Sequence, residues 1–311
     1  MKILITCPPM LRSINELKHF FEEKNIELML PEVVQTLSEE ELLKLVPQAD
    51  GWIIGDDPAT EKVFKAGIDG NLKAAVKWGV GVDNVDFKAA EKLGIPISNT
   101  PRMFGNEVAD MAMGYFLGLA RESYRVDREV RKGNWIKPPG VSLTNKTVAL
   151  VGLGDIGLAT ARRLKGFDVK INAYDPFSKL SAKDANVDQI LNFPEQIEAA
   201  DFVILTCSLT PSSYHLINPE SIAKMKDGVS IINVSRGGLI DENALVAALK
   251  SGKIKAAGLD VFEQEPLTTD NPLRQFEQCI FGTHNGSNTK EAVVRASLKA
   301  IELIFGYLNV K

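Results

Sequence analysis

Three histidines stand in the sequence: His19, His215 and His284. Histidine is the side chain whose proton comes and goes near neutral pH, so an acid–base reaction has few candidates here. His284 opens His284-Asn-Gly-Ser287, directly after Cys279-Ile-Phe-Gly-Thr283, an apolar stretch that reads as a strand. A histidine at a strand's end before glycine is well placed for a cleft. His19 sits beside Phe20 and Phe21 and reads as structural, while His215 reads as a surface or capping residue in a turn. Arg236, in Ser235-Arg-Gly-Gly238, follows the strand-like run Ser230–Val234. Its guanidinium offers a planar fork of donors to a carboxylate. By residue type alone, Glu265 before Pro266 reads as a surface acid.

A second chemistry-bearing stretch is TVALVGLGDIG, Thr147 to Gly157. The apolar run Val148–Val151 reads as a buried parallel strand. Gly152, Gly154 and Gly157 follow as G-x-G-x-x-G, and Leu158 to Leu164 carries apolar residues at helical spacing. Strand, glycine turn and helix form a dinucleotide-binding fingerprint, in which the helix start offers N–H groups and positive dipole to phosphates. The next strand, Val169–Tyr174, ends in Asp175, about 20 residues beyond the glycines, where an acid accepts from ribose hydroxyls and repels a 2′-phosphate. NAD is therefore expected over NADP.

Elements that position these groups alternate along the chain. Ile3–Thr6, Gly51–Gly55 and Ala74–Trp78 read as strands, with a capping box at Ser38–Glu41 opening a helix through Val46. The loop Gly79-Val-Gly-Val-Asp-Asn84 leaves the third strand with two glycines, suited to holding a carboxylate on backbone N–H groups. Gly105 to Arg121 reads as a long helix able to join two domains, and Asn288 to Leu308 as the last helix. Between Arg131 and Gly140 a Pro/Gly-rich arm carries Trp135, read as a surface loop with an oligomer contact as the alternative. The net charge of −4 argues against a general nucleic-acid surface. The apolar runs fall short of the ~20 residues of a membrane span. The N-terminus is too short and strand-like for a signal peptide. Cys7, Cys207 and Cys279 lack zinc spacing and suggest reduced thiols in a cytoplasmic protein.

Taken together, KWGVGVDNVD, ISNTP, VGLGDIG, INVSRGGLIDE, AAGLDVFEQEP and THNGSNTKEA run in order over nearly the whole chain. The chain resembles the D-isomer-specific 2-hydroxyacid dehydrogenases, particularly the phosphoglycerate dehydrogenase branch. The resemblance implies an α/β protein of two doubly wound parallel-sheet domains. A Rossmann NAD domain (residues 101–286) would be inserted into a flavodoxin-like substrate domain (residues 1–100 plus 287–311), with the active site in the cleft and a homodimer formed through the NAD domains. By the same resemblance Arg236 matches the substrate-binding arginine, His284 the catalytic histidine and Glu265 its acid partner. Asp260 matches the acid that bonds the nicotinamide carboxamide. Asp155 and Ile156 match the pyrophosphate contacts, and Cys207 and the Val234 backbone match further cofactor contacts. Val80 and Gly81 match the loop that holds the substrate carboxylate.

The implied activity is interconversion of a D-2-hydroxy acid and its 2-oxo acid, with 3-phosphoglycerate one candidate substrate. Glyoxylate or hydroxypyruvate reduction, and a non-catalytic NAD-sensing role like that of corepressor relatives, are the alternatives. Some positions depart from the family pattern. Asp56 and Asp57 stand where the branch often has basic or hydroxyl residues, and would repel a substrate phosphate unless they point away. Thr206-Cys-Ser208 replaces the usual His-x-Pro, and Thr283 the usual proline. The sequence ends at Lys311, so an appended serine-sensing domain is expected to be missing.

Overall fold

A computed structural model describes residues 1–310; Lys311, the end of the expected second segment of the substrate domain, lies outside the described residues. The chain divides into two compact units, one of Met1–Met103 with the segment from Asn288 onward, the other of Phe104–Ser287.

The first unit is built on five parallel strands: β1 (Lys2–Ile5), β2 (Glu27–Met29), β3 (Gly51–Ile54), β4 (Ala74–Lys77) and β5 (Ile97–Asn99). Their order across the sheet is β2-β1-β3-β4-β5. Every residue of β3 and β4 is buried, as a sheet covered on both faces requires. Trp52, Phe64, Leu42 and Val46 fill the space between the sheet and its helices. Helix Glu39–Leu45 starts on a true capping box, with Ser38 and Glu41 satisfying each other's backbone N–H groups. The final helix, Lys290–Tyr307, capped by Thr289, packs on β3 and β4, which is why the end of the chain belongs with its beginning.

The second unit holds seven parallel strands: β6 (Thr147–Val151), β7 (Lys170–Tyr174), β8 (Gln189–Leu191), β9 (Phe202–Leu205), β10 (Val229–Asn233), β11 (Ile254–Leu259) and β12 (Ile280–Phe281). Their order is β12-β11-β10-β9-β6-β7-β8, so the winding reverses between β6 and β9. Ligands of open α/β sheets bind at such a switch point, outside the carboxyl ends of the strands. Helix Gly105–Arg121 buries Val108, Ala112, Tyr115, Phe116 and Leu119 against this sheet and the helix that follows β6. Gly118 and Ala112 on it keep the approach close.

Among the elements the sequence reading left out are β2, β8 and the helix Ser123–Arg131. The two strands have three residues each, lie at sheet edges and are only partly covered, so they show no buried run. The helix buries none of its residues and carries instead the ion pair Arg131–Asp127 at 2.8 Å, with a second pair, Lys132–Glu129, beside its C-terminus. Its few apolar side chains, such as the exposed Tyr124 and Val130, sit among charges, so no buried apolar run marks the helix. Among the described residues no helix is long and apolar enough to cross a membrane.

Candidate active site

The glycine loop closes as its residue types require. Gly152 has φ +102°, a conformation that costs a side-chain-bearing residue dearly, and a Cβ there would lie 2.6 Å from the Cys207 backbone nitrogen. A Cβ on Gly157 would lie 2.0 Å from the Gly152 carbonyl oxygen, so helix and strand meet only because no side chain stands between them. Gly154 differs: a Cβ there would meet nothing within 4 Å. The protein itself does not demand glycine at that position; a ligand approaching the backbone would. Gly154 is also the N-cap of helix Asp155–Leu164 and no side chain caps that helix, so its first N–H groups are left for an incoming anion. These features fit a dinucleotide's diphosphate. The Asp155 carboxylate leans onto the start of helix Gly105–Arg121, where a Cβ on Gly105 would lie 2.4 Å from its Oδ2. Asp155 and Ile156 thus have backbone rather than carboxylate to offer a phosphate.

Asp175 ends β7 and receives N–H groups from Leu153 at 2.8 Å, Phe177 at 2.9 Å and Ser178 at 3.0 Å. It therefore ties the glycine loop to the next strand, and is half-buried at the carboxyl edge where a ribose would stand. Cys207 and Val234 follow β9 and β10, which are neighbours, and the Ser235 hydroxyl donates to the Cys207 carbonyl between them. Burial pushes the Cys207 thiol up to about 11, so it is a packing group rather than a nucleophile at neutral pH.

Four side chains expected to serve the reaction follow three consecutive strands. β10, β11 and β12 are adjacent and parallel, so their carboxyl ends share one edge. Arg236 follows β10, Asp260 and Glu265 follow β11, and His284 follows β12. His284 Nδ1 lies 2.8 Å from Glu265 Oε2, while Glu265 Oε1 accepts the Phe262 N–H at 3.0 Å. Glu265 is therefore not a surface acid: the loop turns it inward onto the imidazole. The Arg236 Nη1 donates to the Ser235 carbonyl at 2.9 Å, bending the guanidinium back over its own loop. Asp260 is almost fully buried, accepting from Gly286 N at 2.8 Å, Asn285 N at 3.2 Å and the Tyr115 hydroxyl at 3.2 Å. Its carboxylate is thus largely occupied by the protein.

His215 is not simply a turn cap. Its Nε2 lies 2.6 Å from Glu263 Oε1, and Tyr214 stacks on its ring at 3.9 Å. His19, by contrast, is exposed beside Phe20.

In the first unit, Val80 and Gly81 lie in the loop after β4. Gly79 N donates to Thr100 Oγ1 at 2.8 Å and Asn99 donates to the Val80 carbonyl at 3.1 Å, which fixes the loop's course. The two aspartates expected to repel a phosphate part ways. Asp57 is buried, accepting from Leu37 N at 2.8 Å, Gly55 N at 3.1 Å and the Thr6 hydroxyl; burial raises its pKa and these donors partly offset that. Asp56 pairs at 2.9 Å with Lys77, whose ammonium also donates to the Gly55 carbonyl at 2.7 Å. Sequence reasoning missed Lys77, a buried cation at the carboxyl end of β4. A lysine ending an otherwise apolar strand was the signal available.

A diphosphate-ready glycine loop and an imidazole–carboxylate pair on one sheet edge define a nicotinamide-dependent oxidoreductase. Residues 113–286 match the family model described as D-isomer specific 2-hydroxyacid dehydrogenase, NAD binding domain. The chain is 39% identical over 279 residues to a hydroxypyruvate reductase of Thermotoga maritima, covering 88% of this chain and 90% of that protein. It is equally 39% identical, over 278 residues, to a D-3-phosphoglycerate dehydrogenase of Methanocaldococcus jannaschii, covering 88% of this chain but 52% of that one. The chain thus spans about half the length of the phosphoglycerate dehydrogenase. Among solved structures, an NAD-dependent formate dehydrogenase from Staphylococcus aureus in complex with NAD superposes with a TM-score of 0.88, at 26% identity, covering 99% of this chain and 96% of that one. The chain belongs to the D-isomer-specific 2-hydroxyacid dehydrogenase family, with the NAD-binding domain inserted within the substrate domain, and acts on a CH–OH donor with a nicotinamide cofactor.

Proposed function

We propose that the chain reduces a small, unphosphorylated 2-oxo acid, of the hydroxypyruvate or glyoxylate kind, to the corresponding 2-hydroxy acid (the D-isomer where C2 is a stereocentre) using NADH. The Asp56–Lys77 pair carries the choice of substrate. The cation at the end of β4 is already neutralised at 2.9 Å, so this loop offers a phosphate no net positive charge. The 90% coverage of the hydroxypyruvate reductase from Thermotoga maritima agrees with it.

Bound NADH supplies the hydride to the carbonyl carbon. Residues of the chain do the rest. Arg236 holds the carboxylate, which removes the orientational part of the barrier; the Val80–Gly81 backbone matches a carboxylate-holding loop by family resemblance. His284 donates the proton that the new hydroxyl requires and takes it back in the reverse direction. Glu265, on Nδ1, fixes the ring so that Nε2 faces the reaction and steadies the imidazolium. Arg236 also stabilises negative charge growing on the carbonyl oxygen. Asp175 favours NAD over NADP by repelling a 2′-phosphate, so Asp175→Ala raises the Michaelis constant for NADH and narrows its preference over NADPH. Retention of the His284–Glu265 pair supports an enzyme over an NAD-sensing corepressor-like protein. The exposed Trp135 and the unburied face of helix Ser123–Arg131 support the homodimer, which light scattering measures directly.

The test is NADH oxidation against phosphohydroxypyruvate, hydroxypyruvate, glyoxylate, pyruvate and branched 2-oxo acids. The highest kcat/KM is expected for hydroxypyruvate or glyoxylate. A preference for phosphohydroxypyruvate would overturn the substrate reading, and no turnover with any of them would overturn the enzyme reading.

A further inference from the structure

We infer that Tyr115 is a positioning residue for His284, acting through the buried carboxylate of Asp260. The inference rests on the reading of His284 as the proton-transfer group, and concerns what holds that group in place.

The backbone at His284 is left-handed, with φ 54°, a conformation uncommon for a side-chain-bearing residue though less so for histidine. Asp260 is what imposes it. Its carbonyl accepts the His284 N–H at 2.6 Å, and its two carboxylate oxygens accept the next two backbone N–H groups, Asn285 and Gly286, at 3.2 and 2.8 Å. The whole turn from residue 284 to 286 is therefore wrapped around one aspartate. That aspartate in turn needs a fixed rotamer. Tyr115, 4% exposed on helix Gly105–Arg121, donates its hydroxyl to Asp260 Oδ1 at 3.2 Å. Burial and the neighbouring Asp260 charge push the tyrosine's pKa far up, so its hydroxyl stays a donor. The surroundings are shaped to the contact: a Cβ on Gly282 would lie 2.1 Å from Asp260 Oδ1 and 2.3 Å from the Tyr115 oxygen, and a Cβ on Gly258 would lie 2.8 Å from the Tyr115 Cβ. Glycine at both sites lets a phenol reach a carboxylate through a closely packed helix–sheet layer. A hydroxyl placed there has no purpose in packing, since phenylalanine would fill the same volume.

The test is Tyr115→Phe in the full chain, read two ways. Protein labelled with 15N-histidine has three imidazoles to observe, so the ring signals of His284 are assignable by difference from His284→Asn. The variant is expected to keep its Michaelis constants, to lose kcat by roughly three- to tenfold, the size of one lost hydrogen bond, and to shift or broaden the His284 ring signals alone. Gly282→Ala, which wedges the same two oxygens apart, is expected to move the same signals. Ring signals that coincide with wild type in Tyr115→Phe would overturn the inference, whatever happens to turnover. Ring signals that move without change in kcat support the positioning and instead remove His284 from proton transfer. Should Tyr115→Phe fail to fold, Gly282→Ala decides by the same readout.

Discussion

Two imidazole–carboxylate pairs lie in the same unit, and they differ in everything except their chemistry. His284 meets Glu265 at 2.8 Å; His215 meets Glu263, two residues earlier in the same loop, at 2.6 Å. The shorter contact is the less consequential one. His215 is held by a stacked, largely exposed Tyr214, and its carboxylate also accepts, at 3.5 Å, the first N–H of helix Glu242–Ser251. That pair fastens one surface loop to another. His284 hangs from a buried aspartate at the carboxyl edge of β12, on the edge that also presents Arg236, and its acid is fixed from behind by the Phe262 N–H. Residue types are the same in both pairs and the distances differ by only 0.2 Å; what sets the proposed acid–base imidazole apart from a tether is how rigidly its paired nitrogen is held.

Removing each member tests that contrast. His284→Asn is expected to lower turnover by roughly 10²–10⁴, the usual worth of a general acid–base group, while NADH still binds; stopped-flow and fluorescence titration measure the two separately. Glu265→Gln keeps the volume but loses a charge-assisted hydrogen bond, worth about 1.5–3 kcal/mol, so kcat should fall roughly 10- to 100-fold. His215→Gln should leave kcat within error and cost less than about 1 kcal/mol in a denaturation curve, since the pair is partly open to solvent. A large kcat loss in His215→Gln, with none in Glu265→Gln, would reverse the assignment of the two pairs.

Much of this was legible in the sequence. The central strands of both sheets announced themselves as short apolar runs with glycine or a polar residue at the exit, because a strand covered on both faces leaves no other composition open. The glycine fingerprint and the capping boxes at Ser38 and Asn218 are local, and local chemistry reads directly. Only the box at Ser38 was recognised, since the second uses serine where glutamate is usual. What stayed hidden is long-range. Glu265 and His284 are 19 residues apart on separate loops; nothing in Glu265 itself distinguishes it from an exposed acid before proline, and only the family resemblance named it as the histidine's partner. His215 and Glu263 are 48 apart. Tyr115 sits at an apolar position of an amphipathic helix and reads as core; its partner is 145 residues away. Asp57 reads as a repulsive surface charge and is instead the buried acceptor around which Thr6, Leu37 and Gly55 are arranged. Charged residues in loops gave the least away, since their meaning depends on which backbone they fold back upon.

The division of the chain has a consequence for how such proteins diversify. Gly152 through His284, with every group named for coenzyme and proton, lies in one unbroken stretch, Phe104–Ser287, while Lys77, Asp56 and the Gly79–Gly81 loop lie upstream of it. On the proposed roles, the groups for coenzyme and proton thus form a single cassette, with the Asp56–Lys77 pair proposed to tune the substrate lying upstream of it. A recombination event, natural or made at the bench, that exchanges residues 1–103 for those of a relative should transplant the appetite for one 2-oxo acid or another and leave the reductant untouched.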